Sequence, residues 1–330
     1  MKPDFQVLLS RFITVALFMA VMAGSWDAWW HIAVGRESFW VPPHLLLYSS
    51  VIGAIGGGIY GWYRTGGKTW QRLGLVLLLV PLSAPFDELW HRLFGAENLS
   101  SPLIIWSPPH VVLVASLMGS FVLLLPLLRE DRDIDAQRLF GSLAFAGILW
   151  LLFFLADPFQ PTGPWRLMGF WGAGMVAAVF SGVIVAAQRW MPGLAPATIV
   201  TGAFMILIAI EFGEKVASEV IIPPHAHPPL WLIAFSHLVP ALTVDLVRRS
   251  PLWLRGGLAG ILRAAIFYGF ASSFYEPQFR YTTENALIAV LSSLIGGLMA
   301  GTFVALVYQK IGVLAAKNRL DRDKLGARRS

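Results

Sequence analysis

The chain has 330 residues, of which 56% are hydrophobic and only 13% are charged, whereas about a quarter of a typical soluble domain is charged. This composition excludes an ordinary soluble protein, and the absence of cysteine excludes disulfides, thiolate metal sites and thiol catalysis. The formal net charge of +6 does not indicate nucleic-acid binding, because the basic residues sit in short loops and the tail, where they set membrane topology.

Apolar runs follow one another along the chain, each close to the roughly 20 residues that span a bilayer core. We therefore predict an all-α, polytopic transmembrane bundle of about ten helices. Short connections make consecutive helices antiparallel hairpins. The predicted helices cover residues 8–33, 44–64, 70–94, 110–128, 138–157, 166–188, 195–221, 230–248, 254–275 and 286–309.

The distribution of Lys and Arg predicts the orientation of this bundle. With the N-terminus inside, the inner segments hold 19 basic residues and the outer loops hold four. The positive-inside rule then places both termini in the cytoplasm. We expect a multi-pass protein of the cell inner (plasma) membrane. Its expected partner is the lipid bilayer, and nucleic acid is not expected to bind.

The first hairpin carries a histidine motif where its two helices meet. Asp27 precedes His31 by four residues, and after twelve further residues His44 follows a Pro-Pro pair. Positions i and i+4 lie one above the other on a helix face, so Asp27 and His31 can point at a common centre. Proline suits the first helical turn and so fixes where the next histidine points. A helix N-terminus also favours neutral imidazole, the form that binds metal.

The second hairpin repeats this motif. Asp87 precedes His91 by four residues, and His110 again follows a Pro-Pro pair, here after eighteen intervening residues. Each hairpin can thus offer one carboxylate and two imidazoles at the predicted outer, periplasmic or exterior, face.

A third hairpin is a degenerate copy. Glu211 precedes Lys215 by four residues, and Pro-Pro leads into His225 and His227. Because lysine replaces the first histidine, Glu211 and Lys215 are expected to form a salt bridge. His225 and His227 remain candidate ligands.

Two imidazoles and one carboxylate without thiolate suit zinc, copper(II), iron(II) or manganese. The alternative interpretation is that the Asp–His pairs and prolines only shape the outer ends of the hairpins. The predicted metal ligands are Asp27, His31, His44, Asp87, His91, His110, His225 and His227. No catalytic residue or organic cofactor is assigned.

The first motif, Asp27, His31 and His44 with Asp-x3-His-x12-His spacing, resembles the metal site in the C subunit of particulate methane and ammonia monooxygenases. That family carries a second, related hairpin site, to which the second motif is similar, with a longer loop. The resemblance covers about the first 130 residues at most. It implies copper, oxidation of small apolar molecules at the outer side of the membrane, and other membrane subunits as partners. Zinc or iron remain alternatives from the ligand types alone.

These observations are compatible with three functions. The first is a membrane metalloprotein acting as an oxygenase-like copper oxidoreductase. The second is a transition-metal transporter or metal-delivery protein, although transport needs polar groups spaced across the bilayer and these ligands crowd one face. The third is a non-catalytic subunit with a structural metal site. The predicted parts are 1–128 with two metal-binding hairpins, 129–309 with six helices, and 310–330 as a basic cytoplasmic tail.

Other polar residues are expected to be structural. His237 with Ser236 is predicted to form an interhelical hydrogen-bonding pair, and Asp245 is predicted to pair with Arg263. The run 129–135 is expected to be a solvated loop. The small-residue pattern Gly297-x-x-x-Gly301 predicts close helix packing within the bundle.

Overall fold

The computed structural model of the chain describes residues 3–34, 40–94, 106–161, 167–217, 229–271 and 282–327. Within these ranges it contains ten α-helices, two short 3-10 helices and no β-strand, which confirms the predicted all-α fold. The α-helices are α1 (Pro3–Ala33), α2 (Pro42–Thr65), α3 (Lys68–Phe94), α4 (Pro108–Leu128), α5 (Ile134–Ala156), α6 (Ala173–Trp190), α7 (Pro196–Ala217), α8 (Leu230–Leu246), α9 (Leu252–Ala271) and α10 (Thr283–Ala327).

Local sequence accounts for several of the helix boundaries. Both α2 and α4 begin at the Pro-Pro pairs, since proline has no N–H to leave unpaired in the first turn. Ser107 caps α4 by accepting a hydrogen bond from the His110 amide at 3.3 Å. Gly66 ends α2 with a φ of 62°, a left-handed conformation that glycine adopts without a Cβ clash.

The largest departures from the predicted boundaries are at the start of α6 and the end of α10. The segment expected to begin a helix at 166 instead contains a 3-10 helix, Gly169–Gly172, and α6 proper starts at Ala173. Helix α10 continues to Ala327, well past the predicted end at 309. The backbone of the basic tail is therefore helical through most of its length, as an extension of the last apolar helix.

Seven segments in the described part are long and apolar enough to cross a membrane, as expected of a multi-pass membrane protein. They are Asp4–Asp27, Pro42–Thr65, Lys68–Phe94, Pro108–Leu128, Ile134–Phe159, Gly169–Trp190 and Thr283–Lys310. On α10 a line of apolar side chains at four-residue spacing is more than half exposed: Leu291, Ile295, Met299 and Phe303. Such a face is unfavourable in water and favourable against lipid acyl chains.

Successive helices alternate in direction. Phe5 near the start of α1 contacts Tyr60 near the end of α2 at a ring distance of 5.9 Å, whereas Asp27 near the end of α1 meets His44 at the start of α2. Helices α6 and α10 run parallel, since Ser293 donates to the Ala173 carbonyl at 3.2 Å and the Tyr308 hydroxyl, further along α10, donates to the Ala186 carbonyl, further along α6, at 3.3 Å. This alternation gives the bundle two distinct ends.

We name these ends by their residues. The histidine end comprises the last turns of α1 and α3 and the first turns of α2 and α4, with Asp27, His44, Asp87 and His110. The arginine end comprises the connections 65–68, 129–133, 191–195 and 247–251 with the adjoining helix ends.

Close packing inside the chain uses glycine where helices cross. A Cβ on Gly297 would collide with the carbonyl oxygen of Gly256, and one on Gly301 with the carbonyl oxygen of Leu252. The backbones of α9 and α10 thus touch directly, which only a residue without Cβ permits. The predicted use of the Gly297-x-x-x-Gly301 pattern, helix packing within the bundle, is confirmed.

The connection between α4 and α5 is less solvated than the sequence suggests. Arg11 on α1 donates to both carboxylate oxygens of Asp131, each at 2.8 Å, and the Asp131 side chain is buried. Bidentate pairing of this kind fixes orientation as well as distance. The expectation that 129–135 is a solvated loop is therefore wrong at Asp131, which ties this connection to α1.

Candidate metal centre at the histidine end

The first hairpin brings a carboxylate and an imidazole into contact. Asp27 lies near the end of α1 and His44 is the third residue of α2, and their Oδ1 and Nε2 atoms are 2.8 Å apart. The side chains are 22% and 10% exposed, respectively, so the pair lies just beneath the surface. The Tyr48 ring, one turn further along α2, lies 5.5 Å from the His44 ring.

The second hairpin repeats this contact. Asp87 near the end of α3 and His110 as the third residue of α4 place Oδ1 and Nε2 at 3.2 Å, with side-chain exposures of 26% and 24%. The Ser107 cap fixes the first turn of α4 and thereby the direction of His110. Trp106, just before this cap, donates from Nε1 to the Leu155 carbonyl at 2.9 Å and anchors the segment to α5.

The remaining predicted ligands lie outside what the structure describes. The backbones at positions 31 and 91 are helical, but the described side chains do not include His31 and His91. His225 and His227 fall in 218–228, and the expected salt bridge between Glu211 and Lys215 involves two further side chains beyond the described set. Among the side chains that are described, no group of three His, Asp or Glu residues comes together. A three-ligand set therefore stays a prediction.

Each described pair has a geometry that suits two states. In the first, the imidazole and the carboxylate are in direct polar contact, at 2.8 Å between His44 and Asp27 and 3.2 Å between His110 and Asp87. The same two atoms can also be neighbouring ligands of one metal ion. Metal bonds of about 2.0 to 2.2 Å place adjacent nitrogen and oxygen ligands roughly 3 Å apart. The spacing of each pair is therefore compatible with two neighbouring ligands of one ion.

His237 has a different environment, in the interior of the second half of the bundle. Its Nε2 accepts a hydrogen bond from Nε of Arg263 on α9 at 3.3 Å. Its Nδ1 is 2.7 Å from the Ile233 carbonyl, so the proton on the ring is assigned to Nδ1. The nearby Ser236 hydroxyl lies 3.2 Å from the same nitrogen. The interhelical partner of His237 is therefore Arg263, whereas Ser236 bonds within its own helix.

Aromatic rings enclose this His–Arg pair. Phe153, Phe180 and Phe204 lie with ring centroids 5.1 to 5.9 Å from the His237 ring. The Arg263 guanidinium also lies over the ring of Phe153 at 5.7 Å. Because Nε2 already accepts from a cation, His237 is poorly placed to bind a metal.

The predicted pairing of Asp245 with Arg263 is wrong. Asp245 instead caps α7, accepting from the amide of Ala197 at 3.2 Å and from the amide and hydroxyl of Thr198 at 2.8 Å each. A carboxylate at a helix N-terminus satisfies amides that would otherwise lack partners and meets the positive end of the helix dipole. Both residues lie in neighbouring helices, but they turn toward different partners.

Comparison of the chain with models of known protein families, with curated proteins and with solved structures gives no match to any of them. The likeness to the monooxygenase C subunit therefore rests on the hairpin motif alone.

Proposed function

We propose that the chain is an integral membrane metalloprotein that binds a transition metal at the histidine end. The ligands would come from the two Asp-x-x-x-His…Pro-Pro-His motifs. One observation carries the proposal: twice, a carboxylate at the end of one helix lies within 3.2 Å of a histidine at the start of the next.

The repetition favours metal binding over a purely structural use. Partly exposed ion pairs contribute only about 0 to 1 kcal/mol each, so stability gives a weak reason to build the same pair twice. A carboxylate and an imidazole at ligand spacing, with a second histidine one turn from the carboxylate in sequence, are a donor set that copper, zinc and iron accept.

The proposed orientation puts this site outside and both termini inside the cell. At the arginine end, each described connection or adjoining helix end carries Arg or Lys; at the histidine end, Arg92 is the basic side chain in the described part. That asymmetry is the pattern expected when the arginine end faces the cytoplasm. The site would then face the periplasm or exterior of an inner, or plasma, membrane.

The chain lacks cysteine, so single introduced cysteines can test this orientation without a background signal. Ser101→Cys, between α3 and α4, should react with a membrane-impermeant maleimide in intact cells. Ser330→Cys at the C-terminus should react only after the membrane is opened. The opposite labelling pattern would reject the orientation and leave the metal proposal intact.

Copper at this site would supply redox chemistry for oxidising a small apolar molecule, as the resemblance implies. The residues of the chain would hold and orient the ion. Aromatic rings beside the motifs, including Trp26 with Trp30 and Trp90 with Phe94, would give substrate an apolar approach. Further membrane subunits would complete such an enzyme. This copper oxidoreductase is the first of the three functions considered from the sequence, and it is the more specific part of the proposal.

Transport and a structural role are the alternatives. A transporter needs polar groups across the bilayer, whereas the deeper pair, His237 with Arg263, carries the positive charge of arginine and is enclosed by phenylalanine. That observation favours the enzyme over the transporter, because a cationic side chain opposes the passage of a metal cation.

The decisive experiment is elemental analysis of protein purified without chelator. The wild-type protein should retain metal. The double variant His44→Ala with His110→Ala should contain about fivefold less metal per protein, or still less. His237→Gln, a histidine change far from the histidine end, serves as control and should leave the metal content per folded protein unchanged. Finding no metal in the wild-type protein, and no uptake on reconstitution, would reject the proposal.

Function then follows from two assays on metal-loaded protein. With a two-electron reductant supplied, dioxygen consumption with formation of a hydroxylated product and water from a small apolar substrate supports the oxidoreductase. Movement of metal into proteoliposomes supports the transporter. A fall in melting temperature on chelation, with neither activity, supports the structural role.

A further inference from the structure

A cavity of about 620 Å³ opens at the arginine end, opposite the candidate metal centre. It lies between the end of α6, the connection to α7, the end of α8 and the start of α9. Three arginines and one aspartate are among its lining residues: Arg189, Arg248, Arg255 and Asp245. The excess of positive charge makes an anion the expected ligand.

The aspartate offsets only part of the positive charge of these arginines. Both Asp245 oxygens are taken up by α7, through Ala197 and Thr198, and Oδ1 also accepts from Nε2 of Gln188 at 3.2 Å. Among the described residues, Asp245 forms no ion pair with an arginine. Its oxygens are therefore occupied by neutral donors outside the arginine set, and three arginines against one aspartate (3 − 1) leave the cavity lining a net charge of +2.

Arg255 gives the cavity a fixed wall. Its guanidinium donates to the Ser250 carbonyl and to Oε1 of Gln188, each at 2.7 Å, and to the Arg248 carbonyl. All three acceptors are neutral, so the hydrogen bonds orient the guanidinium without cancelling its charge. The guanidinium has five N–H donors, and an incoming anion can accept from those left over.

Arg189 and Arg248 are the adaptable cations of the cavity, since both are exposed. The Arg189 guanidinium lies over the Tyr308 ring at 5.8 Å, which holds it near the helix ends. The described part of the chain offers no carboxylate partner to Arg248. The cavity thus combines one rigid and two movable guanidinium groups.

Two further features define the ligand. Helix α9 begins at Leu252 in the cavity wall, so the positive end of its dipole adds to the arginine field. At the rim, Leu194 and Leu246 are 70% and 76% exposed, and Trp253 follows at the start of α9. Exposed leucines with a tryptophan at a helix end are typical of a membrane interface.

We propose that this cavity binds the phosphate of an anionic phospholipid headgroup. The arginines would hold the phosphate, because guanidinium groups match its oxygens with paired donors. The exposed leucines would contact the first part of the acyl chains. Basic pockets between transmembrane helices at the cytoplasmic side are suited to such headgroups. This inference stands on the cavity and its charges and does not depend on metal at the histidine end.

The test measures lipid retention by the purified full chain with native mass spectrometry. The protein is equilibrated in micelles containing either phosphatidylglycerol or phosphatidylcholine. The double variant Arg189→Gln with Arg248→Gln removes the two movable cations. The control, Arg132→Gln with Arg249→Gln, removes the same charge from exposed arginines that do not line the cavity.

Wild-type and control proteins should retain phosphatidylglycerol in preference to phosphatidylcholine, and the cavity variant should bind it about 30-fold more weakly. A second double variant, Arg189→Gln with Arg248→Lys, restores one positive charge and should recover part of the phosphatidylglycerol binding. Such recovery excludes misfolding as the cause of the loss. Equal loss in the control, or no loss in the cavity variant, would overturn the site. Displacement of the lipid by millimolar inorganic phosphate would reject the lipid and assign the cavity to a soluble phosphate compound.

Discussion

The first four helices and the last three are held together in different ways. In α1–α4, polar contacts lie at the helix ends, where Asp27 meets His44 and Asp87 meets His110. The side chains of both pairs are partly exposed. In α8–α10, the polar contact lies in the interior, where His237 meets Arg263 among phenylalanines, and glycines bring α9 and α10 into backbone contact. The same residue type, histidine, thus faces a carboxylate in one region and a guanidinium in the other.

Under the proposed function, this difference separates metal binding from stability. A histidine beside a carboxylate at an accessible helix end can exchange its proton for a metal ion. A histidine that accepts from a buried arginine is committed to that contact, and its loss leaves unsatisfied groups in an apolar interior. We therefore expect changes in α8–α10 to affect folding most, and changes in α1–α4 to affect metal content most.

The largest effect is expected at the contact between α9 and α10. Gly297→Ala puts a Cβ against the Gly256 carbonyl, and the helices must separate, which should lower the free energy of unfolding by about 3 kcal/mol or more. Gly56→Ala in α2 is the matched control, since a Cβ there meets nothing within 4 Å. It should be neutral or stabilising by up to about 1 kcal/mol. Unfolding in mixed micelles, followed by circular dichroism, gives both values; equal losses would contradict the contrast.

The next effect is expected at the buried pair. Arg263→Met keeps most of the side-chain volume but leaves Nε2 of His237 without a donor, which should cost about 2 kcal/mol. Adding His237→Leu removes the stranded acceptor and should restore part of the loss. The same unfolding assay measures this coupling, and a double variant less stable than Arg263→Met would argue against it.

A smaller effect is expected at the start of α4. Ser107→Ala removes the cap that accepts from the His110 amide and should cost about 1 kcal/mol. Helix α2 offers the reverse experiment, because Val41 occupies its cap position in extended conformation without a side-chain hydrogen bond. Val41→Ser should stabilise by up to about 1 kcal/mol. A lower melting temperature for Ser107→Ala and a higher one for Val41→Ser would support the capping roles.

The smallest effect on stability is expected at Asp27. Asparagine keeps an oxygen that can accept from His44, and the pair is partly exposed, so Asp27→Asn should change the free energy of unfolding by under about 1 kcal/mol. Its metal content should nevertheless fall, because a neutral amide is a poorer ligand for a transition metal than a carboxylate. A variant that keeps its metal, or that unfolds readily, would break the proposed separation of binding from stability.

Much of the fold was predictable because bilayer thickness sets the length of an apolar run. The described part of the chain contains ten helices close to the predicted positions. Proline also marked the starts of α2 and α4 correctly. The end of α10 was not predictable from hydropathy, because a polar continuation can stay helical after the apolar stretch has ended.

The partners of individual side chains were less predictable. Asp245 and Arg263 looked complementary in charge and depth, yet Asp245 caps α7 and Arg263 binds His237. Arg11 and Asp131 are 120 residues apart and form a bidentate pair. Hydropathy gives a helix's position along the membrane normal, but it does not give the rotation of that helix about its axis.

The sequence by itself determined the membrane class, the helices and the repeated pairing motif, because these follow from local composition, proline positions and spacing along one helix. Tertiary structure decided that Asp27 meets His44, that Asp87 meets His110 and that His237 meets Arg263. It also decided that Arg189 of α6, Arg248 of the connection after α8 and Arg255 of α9 line one cavity. These outcomes depend on how helices rotate and cross, and close packing of side chains and glycines fixes that only when the whole chain is assembled.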